Sequence, residues 1–234
     1  MKPSVLAVIA ARGGSKRIQR KNIRDFLGKP IIAYPIAAAL KSGCIDEVMV
    51  STDDADIARV AQAYGAKVPF MRSAGASGDR STIMDVIREV IREYSLRGME
   101  FEFGCCLFPT APFVTPELLA SAFQKLIDTG ADTLLPVTRF SYPIRRSLRI
   151  ENGRVKMNWP EHAETFSQDL PPDYHDCGQF YFYRTEAILG QGGFLTDRTV
   201  AFELPETEVQ DIDNEEDWKM AELKFSAFMK KDAR

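Results

Sequence analysis

The chain of 234 residues is 45% hydrophobic and carries a formal net charge of −3. That length and apolar content support one substantial core, so a single domain over residues 1–234 is expected. The slight acidity argues against general nucleic-acid or bilayer binding and leaves neither as an expected partner.

Val5-Leu6-Ala7-Val8-Ile9 has the length and composition of a buried strand. The apolar run is about seven residues long and leads into Arg12, far short of the roughly 20 needed to cross a membrane. No small-residue cleavage site follows it. Gly13 and Gly14 come next, with Ser15 and several cations around them. From Arg12 to Lys29 stand seven Lys or Arg against one acid, Asp25. A cationic loop at the end of a buried strand, in a chain with no general basic excess, points to a local anionic ligand. Polyphosphate is the natural candidate. The two glycines allow close backbone approach, and their amides join Ser15 as neutral donors. The loop has neither the P-loop nor the dinucleotide-binding spacing. A solvated turn is the competing reading, and Arg20 reads as a solvated cation within it.

Residues 31–40 read as a helix closed near Gly43, with Pro35 tolerable only in its first turn. Residues 46–51 read as a strand. Residues 53–64 read as a helix capped by Asp53 or Asp54 and stopped at Gly65. A short strand over 67–70 and a small-residue loop over 72–81 follow. Residues 82–94 place Ile83, Val86, Ile87, Val90 and Ile91 on one helical face. A strand over 103–108 ends at Pro109-Thr110-Ala111-Pro112, and a helix over 116–128 and a strand over 133–137 come after it. The alternation predicts an α/β fold, with a largely parallel sheet between helix layers. Ligands of such sheets sit outside the carboxyl ends of the strands. The loops after residues 10, 51, 70 and 108 should then line one site.

The rhythm breaks at Phe140. Residues 140–176 are polar, with Pro143, Pro160, Pro171 and Pro172 and the aromatics Tyr142, Trp159, Phe166 and Tyr174. So many aromatics predict an excursion that packs outside its own core, with a partner subunit the simplest candidate. Strands resume at 179–183 and 199–202. A final amphipathic helix carries Trp218, Ala221, Phe225 and Phe228 on one face. Cys44, Cys105, Cys106 and Cys177 form no C-x-x-C pair and read as buried thiols of a reducing cytosol. Cys105 and Cys106, adjacent on a strand, should point to opposite faces. His162 and His175 are too few and too isolated for a histidine metal site. The chain thus reads as a soluble cytoplasmic protein.

Asp211-Ile212-Asp213 is the second chemical feature. In an extended segment its two carboxylates share a face, with α-carbons about 7 Å apart, and can converge on one hard divalent cation. The alternative is that Asp213 or Asn214 caps the last helix, with Glu216 completing a capping box for Asp213 and Asp211 left exposed.

The string from Ala11 to Asn22, A-R-G-G-S-K-R-I-x-x-K-N, followed by Leu27-Gly28-Lys29-Pro30, resembles the opening signature of a known family. These are the cytidylyltransferases that activate nine-carbon 2-keto-3-deoxy acids. Ala10 stands where the family usually has proline. Asp211-Ile212-Asp213 resembles the family's D-I-D segment, and Ser51-Thr52-Asp53-Asp54 its S-T-D. Leu107-Phe108-Pro109-Thr110-Ala111-Pro112 is similar to L-Q-P-T-S-P, with Phe108 for glutamine and Ala111 for serine, and Phe113-Val114 replaces Leu-Arg. Residues 137–144, 167–170 and 174–176 look more like the pseudaminic acid branch.

The resemblance implies a three-layer Rossmann-like nucleotide-diphospho-sugar transferase fold, with a mostly parallel mixed sheet and a dimerisation arm over residues 140–176. It implies transfer of CMP from CTP to the anomeric hydroxyl of a nine-carbon acidic sugar in a homodimer. Pseudaminic acid is the preferred acceptor, and legionaminic or sialic acid the alternative. It places Arg12, Ser15 and Lys16 on the phosphates, with Ala11, Gly13 and Gly14 in the same loop. Lys21 falls near the reacting phosphorus, with Arg12 as its catalytic companion, and Asn22 on the nucleotide. Arg72 and Ser81 flank the region where relatives bind the base, although such an arginine can equally be a solvated cation. Phe108, Thr110, Arg139, Tyr142 and His175 become acceptor contacts, and Asp211 and Asp213 the ligands of Mg²⁺. From a different class, a catalytically silent nucleotide-binding protein would keep the glycine loop but have no use for D-I-D. A Rossmann dehydrogenase would need the missing fingerprint.

Overall fold

In the computed structural model, residues 3–78 and 81–232 are described, the last three of them for their backbone alone. The chain opens with strand β1 (Val5–Ala10), then the basic loop and a small ribbon of β2 (Asp25–Phe26) and β3 (Lys29–Pro30). Helix α1 (Ala33–Lys41), strand β4 (Glu47–Ser51) and helix α2 (Ala55–Ala63) follow, then the one-turn α3 (Ala74–Ser77) and α4 (Ile83–Ser95). Strand β5 (Phe103–Leu107), helix α5 (Pro116–Thr129) and strand β6 (Thr133–Arg139) complete the regular half. The arm carries the hairpin β7 (Leu148–Glu151) and β8 (Arg154–Met157), and strand β9 (Tyr174–Asp176). The chain closes with β10 (Phe180–Arg184), α6 (Thr185–Gln191), β11 (Thr199–Glu203) and α7 (Glu215–Asp232).

The main sheet has the order β11-β6-β10-β5-β1-β4, with β9 added on β6. β1 pairs in parallel with β4 and β5, and β6 in parallel with β11, whereas β10 runs antiparallel to both β5 and β6. Five strands therefore share one direction, and β9 and β10 oppose them. This is the mixed, mostly parallel sheet expected. One face is covered by α1, α2 and α5 and the other by α4 and α6, each over its own apolar cluster. Cys105 belongs to the first cluster and Cys106 to the second, as strand alternation requires. All four cysteines are buried and free.

The elements depart from the sequence reading at specific places. Residues 67–70 form only a bridge, Met49 to Lys67, because Pro69 has no N–H with which to continue a ladder. Asp54, rather than Asp53, caps α2, accepting from the amides of Asp56 at 2.8 Å and Ile57 at 3.0 Å. Pro35 does sit in the first turn of α1. The loop over 72–81 contains α3, capped by Ser73. Helix α6, ended by Gly192 at φ 82°, was not anticipated. The arm is more regular than its composition implied: β7 and β8 are joined by Asn152 and Gly153, both at positive φ, the two-residue turn that matches strand twist. Among the described residues no helix is long and apolar enough to cross a membrane.

Helix α7 governs the site from outside the sheet. Trp218, Phe225 and Ala221 pack on Phe26, Ile18 and Ile31 of the basic segment and on Phe113. Phe26 meets Trp218 and Phe225 edge to face at 5.5 and 5.6 Å, geometry that adds about 0.5–1.5 kcal/mol per pair beyond burial. Arg24 lies 4.6 Å over the Trp218 ring and 2.6 Å from Glu215. The far end of the basic loop is thus held against the residues that precede and form α7.

Candidate active site

β1, β4 and β5 are parallel, so the loops after Ala10, Ser51 and Leu107 emerge at one end of the sheet. Gly13 donates its N–H to Asp53 at 2.9 Å. A Cβ at Gly13 would stand 2.7 Å from Asp54 Oδ2 and 2.9 Å from its Cβ, so only glycine fits beside the α2 cap. A Cβ at Gly14 would meet nothing within 4 Å, which leaves that stretch of backbone open to a ligand. Asn22 is buried and donates from Nδ2 to the Arg12 carbonyl at 3.0 Å. It therefore folds the loop back on itself. Arg20 is solvated, as expected, and at the surface it also pairs with Asp56 at 2.9 Å and lies 3.6 Å from Asp54.

Lys21 joins this loop to the second feature. Its Nζ donates to the Ile212 carbonyl at 2.5 Å and lies 3.9 Å from Asp213 Oδ1. Arg17 reaches the same carboxylate at 2.7 Å. Asp211 lies beside Gly178, where a Cβ would stand 3.4 Å from its Cγ, and its side chain remains exposed. Burial, and then the charge of Asp213, push the Asp211 carboxyl above its usual range, while Lys21 opposes the rise. Burial lowers the Lys21 ammonium below the ordinary lysine value, against the pull of Asp213 and Asp211. Two carboxylates near enough for one to raise the other form a hard-oxygen donor set that a divalent cation would relieve.

The capping alternative is resolved by geometry. Asn214, not Asp213, caps α7, accepting from the amides of Glu216 at 2.8 Å and Asp217 at 3.0 Å. Asp217, not Glu216, completes the reciprocal box by accepting from the Asn214 amide at 3.0 Å. The Asp213 side chain is therefore free of capping duty, while Asp211 is exposed, as the alternative had it.

Arg72 is buried rather than solvated, bonded through Nε to Ser51 Oγ at 2.9 Å and through Nη2 to the Ser51 carbonyl. It braces the end of β4, and burial lowers its pKa against the opposing pull of Asp53. Ser81 donates to the Gly75 carbonyl at 3.0 Å and secures the turn around α3. Thr110 is buried in the turn after β5. Phe108 sets its ring edge-on to Tyr181 at 5.4 Å, and Tyr181 donates to Asp176 Oδ2. Arg139 and His175 lie at neighbouring rungs of the β6–β9 ladder, with the His175 ring 4.7 Å from Phe140. Tyr142 is exposed near the root of the arm. No hydrogen bond or ion pair among the described residues joins Arg139 or Tyr142 to the basic loop.

Three participants escaped the sequence reading: Arg17 on Asp213, Asp53 on the Gly13 amide, and the Asp176–Tyr181 pair. Asp53 alone left a signal, its adjacency to the cap residue. Lys21 thus joins the basic glycine loop to the Asp211–Asp213 segment, and residues 6–223 match the family model described as cytidylyltransferase.

The chain belongs to the cytidylyltransferase family. As a family member it is a CTP-using nucleotidyltransferase. It is 41% identical to the pseudaminic acid cytidylyltransferase of Campylobacter jejuni, over 94% of this chain and 95% of the relative. It is 34% identical to the CMP-N,N'-diacetyllegionaminic acid synthase of Legionella pneumophila, over 93% and 94%. Its fold matches a CMP:2-keto-3-deoxy-manno-octonic acid synthetase solved with CTP, at a TM-score of 0.69 and 19% identity, over 96% of this chain and 99% of that one. The cytidylyltransferase fold is thereby assigned independently of close sequence likeness.

Proposed function

We propose that this cytidylyltransferase transfers CMP from CTP to the anomeric hydroxyl of pseudaminic acid, acting as a Mg²⁺-dependent homodimer. The observation that carries the reading is Lys21, which reaches from the basic loop to the Ile212 carbonyl between the two aspartates. The acceptor identity rests on likeness to the Campylobacter jejuni relative.

In this reading the anomeric oxygen attacks the α-phosphorus of CTP and gives up its proton as the bond to the β-phosphate oxygen breaks. Pyrophosphate leaves. Arg12, Ser15, Lys16 and the amides of Gly13 and Gly14 hold the triphosphate, and Asn22 keeps their loop in shape. Lys21 meets the charge that grows as the bond to pyrophosphate breaks. Asp211 and Asp213 would hold Mg²⁺, which supplies charge neutralisation at the phosphate oxygens and acidifies or orients the attacking hydroxyl. Among the described residues no three potential metal ligands cluster. Two carboxylates with phosphate and water oxygens are a common Mg²⁺ environment.

The homodimer is supported by the arm. Leu148, Ile150 and Val155 share one side of the β7–β8 hairpin with Met157, and the first three are 60%, 76% and 61% exposed. The other side is charged, with Glu151 paired to Arg149 at 2.7 Å and to Lys156 at 2.8 Å. A strand pair so divided needs a partner for its apolar side, and a second copy would bring Arg139, Tyr142 and His175 toward an acceptor.

The deciding experiment is pyrophosphate release from CTP or ATP with a panel of pseudaminic, N,N'-diacetyllegionaminic and N-acetylneuraminic acids. The highest kcat/KM is expected for CTP with pseudaminic acid. A tenfold or greater preference for another acid overturns the acceptor, and equal use of ATP overturns the donor.

A further inference from the structure

At the end of the sheet opposite the basic loop, where β5 and β6 begin and β10 ends, lies a cavity of about 980 Å³. That is the size of a site for a small organic ligand. Its floor is apolar and aromatic, lined by Leu6, Ile91, Tyr94, Phe101 and Phe103. The rings of Tyr94 and Phe101 meet edge to face at 5.5 Å.

Tyr183 and Gly104 share this floor. A Cβ on Gly104 would fall 2.1 Å from Tyr183 Cζ and 2.3 Å from its Oη, so the phenol end fills space that only glycine leaves. Tyr183 is 1% exposed, yet its hydroxyl forms no hydrogen bond with a described residue. The hydroxyl is not sealed in protein, and the cavity that Tyr183 lines is the direction from which a hydrogen-bond partner can reach it.

The cavity walls have a charge preference. Glu100, Glu102, Asp132 and Glu186 line it, against Arg184 and Arg198. Both arginines are already matched: Arg184 lies 3.8 Å from Glu102 and Arg198 3.6 Å from Asp132. Glu100 and Glu186 form no ion pair with a described residue. An aromatic floor below unmatched carboxylates favours a cation carried on an apolar ring.

We propose that this cavity is a second ligand site that takes a small hydroxylated aromatic amine. The ligand's hydroxyl bonds to Tyr183 Oη, its ring lies against Phe101 and Phe103, and its ammonium faces Glu100 and Glu186. Neither the phosphate loop nor the aspartate pair takes part, because both lie at the other end of the strands.

Tyramine is the probe, followed by calorimetry or by chemical-shift titration of the full chain. Saturable binding is expected, with phenethylamine, which lacks the hydroxyl, weaker by about three- to tenfold, the worth of one hydrogen bond. Tyr183→Phe should weaken tyramine by a similar factor and leave phenethylamine unchanged. Ala187→Trp, which adds bulk at the cavity wall, should abolish both, and 3-(4-hydroxyphenyl)propionate, with the opposite charge, should fail to compete. Saturating CTP should leave tyramine binding intact. The proposal is overturned if tyramine does not saturate, if the propionate binds equally well, if CTP displaces tyramine, or if Tyr183→Phe and Ala187→Trp, with melting temperatures showing them folded, bind as the parent does.

Discussion

Phe26, Phe113, Trp218 and Phe225 close on one another around α7, whereas Leu148, Ile150 and Val155 of the β7–β8 hairpin stand exposed on one side. Both regions are rich in large apolar side chains, and both lie outside the main sheet. The first finds its cover within the chain, because α7 folds back over the basic segment. The second has an apolar side with charges only on its opposite face. The difference teaches how apolar surface divides its work: one cluster fixes the loop and the aspartates in register, and the other is available for association.

The contrast can be broken most severely at Trp218. Trp218→Ala should cost about 3–5 kcal/mol of stability, as buried aromatic truncations do, and should release the basic loop from α7. Urea unfolding measures it; a loss below about 1 kcal/mol would mean that the clamp does not depend on this ring.

Asp211→Asn and Asp213→Asn should each lower turnover by about 10²-fold or more, the scale of a lost electrostatic contact in the transition state. Their effects on melting should differ in sign from those of a cap. The Asp211 carboxyl is raised by burial and by Asp213, so the native state binds that proton more tightly than the unfolded chain. Its stabilising contribution is complete below the unfolded pKa and is lost as pH rises through the folded value. At neutral pH without metal, Asp211→Asn should therefore melt at or above the parent temperature. Asn214→Ala should do the reverse, losing about 1 kcal/mol of stability with the cap while activity persists. A marked destabilisation by Asp211→Asn would refute the burial argument.

Lys21→Ala should reduce kcat by about 10²-fold with a smaller change in CTP affinity, because the charge it meets grows only in the transition state. Arg20→Ala, which loses the exposed pairs with Asp56 and Asp54, should stay within a few-fold. Single-turnover kinetics with calorimetry separates the two quantities, and an unchanged kcat for Lys21→Ala would remove it from the reaction.

The smallest expected effect on stability is at the arm. Ile150→Asp should change the stability of the monomer by no more than about 0.5 kcal/mol, as exposed substitutions do, yet shift sedimentation at micromolar concentration from dimer to monomer. A monomeric parent that is fully active would refute the association reading.

The sheet was legible because its first strand runs are short and apolar, and the longer helices carry their apolar stripe at helical spacing. The shared end of the loops after β1, β4 and β5 followed from that alternation alone, whereas the order of the strands came only with the structure. Less legible were α6, which spans only two turns, and the hairpin β7–β8, whose Asn152-Gly153 turn was present in the sequence but masked by the polar residues around it. In the site, Gly13, Lys21 and the D-I-D pair could be named in advance, whereas Arg17 on Asp213 and Tyr181 on Asp176 could not. Those partners lie on segments whose spacing carries no mutual signal.

The sequence alone determined the α/β architecture, the phosphate-suited loop at a strand end and the pair of carboxylates ahead of the last helix. Each of these is written in local periodicity or in adjacent residues. Only the tertiary structure decided that Asn214 rather than Asp213 caps α7, that Arg72 is a buried brace, and that Lys21 meets the Ile212 carbonyl across a separation of 191 positions. Such facts depend on which buried surfaces meet. Here the packing of Trp218 and Phe225 on Phe26 brings the two ends of the chain to one site, and no local pattern specifies where that contact falls.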